Sequence, residues 1–170
     1  MKSEVLLVLL LLLCCTPCLN AQTRVADYTI TSIQAKLFYD NTGTFSRDVS
    51  ESEAEMDRFV VPSILWNTPM EGSAREGAST SVLVTVEVSG EYAAAPLRRI
   101  EFTARYAPID AHRELVVRRF APIWIREQGK YVAGFWLNEA GCNPVRLSAR
   151  IVGQKKSSLM RRVIRFGCGE

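Results

Sequence analysis

From Tyr28 onward the chain is built of short runs in which apolar and polar residues alternate, the period-2 pattern of strands with one dry and one wet face. Val82, Val84, Val86 and Val88 alternate with Leu83, Thr85, Glu87 and Ser89 until Gly90 ends the run. Ile100, Phe102, Ala104 and Tyr106 alternate with Glu101, Thr103 and Arg105, and Val145, Leu147, Ala149 and Ile151 alternate with Arg146, Ser148 and Arg150. Weaker runs predict strands at 28–39, where Ile33, Ala35, Leu37 and Tyr39 share a face, and at 59–66, 114–125, 130–137 and 159–166. Pro122 makes the 114–125 run either two strands or a kinked edge strand, because proline cannot donate to a central ladder.

Turn formers separate these runs at 40–43, 127–130, 138–141 and 154–158. Connections this short favour antiparallel neighbours. Ser50 and Glu53 stand at capping-box spacing and predict one short helix over 50–58, and the small, polar residues 67–80 predict a long loop. Seven to nine strands without βαβ alternation predict an all-β, antiparallel two-sheet sandwich, with an immunoglobulin-like or fibronectin-like topology as the expected form. The architecture alone carries that expectation, since the cysteine–tryptophan–cysteine order of antibody domains is missing: Trp124 and Trp136 both precede Cys142.

The first 21 residues differ from the rest. Met1-Lys2 precedes an uncharged apolar run from Val5 to Leu13, and Ala21 offers a small residue for cleavage, the layout of a secretory signal peptide. The run is far shorter than the roughly 20 residues of a membrane-spanning helix. Residues 22–170 then form one domain, secreted or periplasmic. Lipid attachment at Cys14, Cys15 or Cys18 is the minor alternative, weakened by the bulky or cyclic residues Leu13 and Pro17 before them.

Export also sets the fate of the two remaining cysteines. Cys142 and Cys168 are an even pair in an oxidising compartment, where a disulfide is the expected state. Closing a loop of this length contributes roughly 3 kcal/mol in chain-entropy terms.

Chemistry is sparse. His112 is the only histidine, in a connection between runs, and no Gly-x-Ser-x-Gly elbow accompanies it. The acidic residues Asp48, Glu51, Glu53, Glu55 and Asp57 lack the glycine and spacing of a calcium loop. No Gly-rich phosphate loop, Cys-x-x-Cys pair or His-Glu-x-x-His helix appears, so neither a cofactor nor a metal is assigned. A glycan hydrolase working with paired carboxylates needs none of these and stands as the enzymatic alternative. Core packing is expected for the tryptophans, although strict alternation sets Trp136 on the face opposite Tyr131, Phe135 and Leu137 and leaves it either exposed or packed across a second buried face.

Charge changes the picture most. Residues 22–97 hold 5 Lys and Arg against 11 Asp and Glu, a net of −6, whereas residues 98–170 hold 15 against 6, a net of +9. A row of arginines on a wet sheet face can grip an anionic glycan, a lipid headgroup or an acidic protein surface. Arg146 and Arg150, four residues apart on one predicted strand, are its expected centre, joined by Arg162 if the hairpin register allows and by Lys155 and Lys156 in the turn between. The competing account is that acidic and basic strands lie side by side and their charges pair locally. Nucleic acid is a less expected partner than either, because export removes it and no recognition motif is visible. The chain thus reads as an exported, non-enzymatic binding or structural module of the cell envelope or extracellular space.

Overall fold

The computed structural model describes residues 27–53, 64–65, 68–69, 79, 81–92, 98–107, 113–125, 129–138, 143–154 and 159–166. Its strands are β1 (Tyr28–Tyr39), β2 (Thr44–Phe45), β3 (Ser50–Ser52), β4 (Ile64–Leu65), β5 (Thr68–Pro69), β6 (Ser81–Gly90), β7 (Arg99–Tyr106), β8 (Leu115–Pro122), β9 (Lys130–Asn138), β10 (Val145–Val152) and β11 (Leu159–Ile164). One antiparallel sheet has the order β2-β1-β6-β9 and the other β3-β11-β10-β7-β8, while β4 and β5 pair only with each other. The chain is all-β with two facing sheets, the arrangement of a sandwich.

The alternation works as expected in the long strands. Val82, Val84, Val86 and Val88 face Ile100, Phe102, Ala104, Leu147, Ala149 and Ile151 in one buried core. Phe102 of β7 and Phe135 of β9 stack at 4.6 Å between centroids, 14° from parallel, and so join the two layers directly. Such a pair contributes about 0.5–1.5 kcal/mol beyond its burial.

Strand β1 changes phase midway: Tyr28 and Ile30 point inward, as do Ile33, Ala35, Leu37 and Tyr39. An odd step in a period-2 pattern requires one extra residue, and the pairing with β6 shifts between Ile30 and Ser32. At the start of β1, Tyr28 packs so closely over Gly90 that a Cβ there would stand 2.2 Å from the ring. The Gln154 side chain accepts from the Tyr28 N–H and donates to the Tyr28 carbonyl, both at 2.9 Å. At the opposite end the Tyr106 hydroxyl meets the Asn138 carbonyl at 3.4 Å. Polar contacts therefore tie the two sheets at both ends of the sandwich.

Three local expectations are corrected. Ser50–Ser52 is a strand paired with β11, not the start of a helix. Asp48 organises the turn before it, its Oδ1 accepting from the Ala35 and Ser50 N–H groups at 2.9 and 3.0 Å, and the Ser50 hydroxyl reaches Asp48 and the Ile33 carbonyl instead of capping a helix. Thr68–Pro69 is a short strand within the expected loop. Trp124 and Trp136 are 53% and 50% exposed and lie outside the core. By contrast Pro122 does end a strand at the sheet edge, β8. The leader at 1–21, His112, Trp66, Glu55, Asp57, Cys142 and Cys168 lie outside the described residues.

Candidate anion-binding face

Antiparallel register arranges the outer face of the β3-β11-β10-β7-β8 sheet in rows, because residues directly opposite one another share a face. One row runs Val163, Arg146, Arg105, Val116; the next runs Arg161, Ser148, Thr103, Arg118; a third runs Leu159, Arg150, Glu101, Phe120. Each residue is the outward member of its strand's alternation except Val163, which is buried. The rows bring together side chains from 101 to 163.

The third row is built around a carboxylate. Glu101 is only 6% exposed, an unusual place for a carboxylate unless it is paired. Arg150 contacts its Oε2 through Nη2 at 2.6 Å and Nε at 2.7 Å, and Arg118 Nε contacts Oε1 at 3.1 Å. Both oxygens are thus taken by guanidinium groups. The Phe120 ring stands opposite on β8 and carries the Arg99 guanidinium 4.9 Å above its centroid, a further cation–π contact.

The first row is different. Arg105 and Arg146 are direct cross-strand partners, and like charges so placed destabilise a sheet unless something offsets them. Arg105 has only a marginal contact with Glu114 at 4.0 Å, and Arg161 one with Glu53 at 3.8 Å, all four side chains being substantially exposed. Among the described residues Arg146 has no acidic partner. Exposed pairs of this kind contribute about 0–1 kcal/mol and are readily exchanged for another anion. Arg105, Arg146, Ser148, Leu159, Arg161 and Glu53 border an open groove of about 320 Å³. Its lining carries three guanidinium groups, one hydroxyl and a single carboxylate.

The sequence-predicted residues are thereby sorted. Arg146 and Arg150 do share the wet face, as their spacing requires, but Arg150 is committed to Glu101. Arg162 is opposite Leu147 and Ser52, on the other side of β11, and half-buried; the register does not bring it to Arg146. Lys155 and Lys156 lie outside the described residues. Arg105 and Arg161, which complete the groove, were not singled out from the sequence, although both alternate with core residues.

The acidic and basic halves also meet in part. Arg165 pairs with Glu51 at 2.9 Å and Lys130 with Glu87 at 3.2 Å. Glu87 further accepts from the Thr31 hydroxyl at 2.9 Å, and that hydrogen bond, followed by Lys130, holds its carboxyl below the usual range. Of the acidic run, Asp48 serves the turn, and Glu51 and Glu53 face arginines; among the described residues no three acidic, histidine or cysteine side chains converge as a metal site would need. No protein-family model matches the chain, and neither a curated protein nor a solved structure matches it.

Proposed function

We propose that this chain is an exported binding module with an immunoglobulin-like topology, and that it holds an anionic partner in the groove around Arg146. The strand order supports the topology: β1-β6-β9 corresponds to strands A, B and E of that fold, β11-β10-β7 to G, F and C, and β8 takes the place beside C. The leader-like residues 1–21 support export. The β10–β11 hairpin supports a Cys142–Cys168 bridge, because Val145 pairs with Ile164 and the cysteines come three residues before the one and four after the other in sequence. Mass spectrometry with and without reductant checks the bridge, and two free thiols in unreduced protein would exclude it.

The observation that carries the binding reading is the Arg105–Arg146 cross-strand pair, two like charges set side by side with the third, Arg161, one row away. An anion bound there removes their repulsion and gains charge-assisted hydrogen bonds. The partner class is a sulfated or carboxylated glycan, a lipid headgroup or an acidic protein surface. Retention of the purified protein on a heparin column tests it: the Arg105→Gln/Arg146→Gln variant elutes at clearly lower salt than the parent. Equal retention of parent and variant, or parent binding indifferent to salt, overturns the proposal.

A further inference from the structure

The sheet β2-β1-β6-β9 ends on β9, nine residues long, and among the described residues no strand pairs with its outer edge. Such an edge is a template for another strand, and proteins usually blunt it with charge, proline or a bulge. The far edge of the other sheet has those defences: β8 carries Arg118, Arg119 and Pro122. β9 has none in its middle. Its single charge, Lys130, is at the first position and is bound to Glu87 at 3.2 Å, and its pairing with β6 runs without a break from Ser89↔Lys130 to Ser81↔Asn138.

What β9 shows outward is symmetric about its centre. Gly134 is the middle residue, with the half-exposed Val132 and Trp136 two positions to either side, at 53% and 50%. We propose that β9 pairs antiparallel with β9 of a second copy, about a two-fold axis at Gly134. A closed two-fold interface puts residue i against residue j and j against i, and in this register Val132 stands opposite Trp136 of the partner subunit twice over. Ala133 stands opposite the partner subunit's Phe135 on the core side, and Lys130 opposite the partner's Asn138, so no like charges meet. Gly134 opposite its own counterpart leaves room for both indoles to approach.

The indole is also held in place. Phe38 packs edge-on against Trp136 at 5.8 Å, and Phe45 stands 6.1 Å from Trp136 and 5.2 Å from Phe38. These rings are inclined to one another by 36–86°, which makes a supported ridge and not the flat platform that a sugar ring needs. Pairing joins the two ridges into one apolar band on an eight-stranded sheet, on the face of the molecule away from the Arg146 groove. The dimer is independent of anion binding.

Sedimentation velocity over a concentration series reads the result. The parent protein shifts to a species of twice the chain mass, Val132→Lys/Trp136→Lys abolishes the shift by setting lysines against lysines, and Val132→Glu/Trp136→Lys restores it by setting opposite charges together. Both variants lose the same indole, so circular dichroism of the pair reports folding on equal terms. Gly134→Cys gives a covalent dimer on mild oxidation, whereas Thr85→Cys, on the neighbouring central strand, gives none. A parent protein that stays monomeric throughout, equal association of the two double variants, or equal cross-linking at 85 and 134 overturns the proposal.

Discussion

Arg150 closes on a single oxygen of Glu101 through two nitrogens, at 2.6 and 2.7 Å, on a sheet face that is otherwise open to water. The pair separates two kinds of arginine on one strand. Arg150 is tied to Glu101, whereas Arg146, two rows away on β10, has no acidic partner among the described residues.

That division is measurable. Arg150→Gln leaves a buried carboxylate with half of its counter-charge, and the expected loss is about 1–3 kcal/mol, toward the lower end because most of the guanidinium is solvated. Arg146→Gln removes no described contact and is expected to stay within about 0.5 kcal/mol of the parent. Urea unfolding midpoints give both values at unchanged slope. Equal effects of the two substitutions would reject the distinction.

The Tyr28–Gly90 contact leaves no room for a methyl group. Gly90→Ala must displace the Tyr28 ring, which is fully buried beneath the sheet end, and the expected cost is about 1–3 kcal/mol. Gly43→Ala is a useful contrast, since nothing lies within 4 Å and only the positive φ of 67° opposes it. A thermal melt of Gly90→Ala matching the parent would show that the ring moves freely.

Glu87 gives the domain one acid-sensitive tie. The Thr31 hydrogen bond, then Lys130, holds its carboxyl below the usual range; its folded pKa therefore lies under its unfolded one. The stabilisation is complete above the ordinary carboxylate range and is lost as pH falls through the folded value. Thr31→Val is expected to move the Glu87 carboxyl titration upward, followed by carbon-detected NMR, and to flatten this part of the acid unfolding profile. An unmoved titration would leave the lowered value to Lys130 alone.

Period-2 alternation made the long strands legible because each buries only one face, and Val82–Val88 or Val145–Ile151 admit no other reading. The helix expected from Ser50 failed at its start because a capping-box spacing is a local signal, and pairing of Ser50–Ser52 with β11 together with the Asp48 turn outweighs it. Trp136 misled through its size: the pattern places it opposite Phe135, but Val132, Gly134 and Trp136 contain no polar residue to mark their face as wet. Arg146 was legible as an outward residue. That Arg105 and Arg161 are its neighbours was not, since alternation gives each strand's faces but not which strands lie side by side, and only the β11-β10-β7 order brings the three together. Arg162 shows the same limit in reverse, because a one-residue choice of hairpin register exchanges the two faces of β11.

The amide of Gln154 holds both backbone groups of Tyr28 across 126 residues of chain. A polypeptide emerging from its N-terminus has made nearly the whole domain before that tie can form, and β10 and β11, which cover the inner face of β1, arrive equally late. Closure of the sandwich is therefore dominated by distant contacts, the class of topology that folds in milliseconds to seconds and not in microseconds. Until then the first strand has its own sheet and the Asp48 turn around it but not β10 and β11. For a chain whose first residues have the pattern of an export signal, a native state that cannot be completed before residue 154 has been made keeps the preceding polypeptide threadable until then.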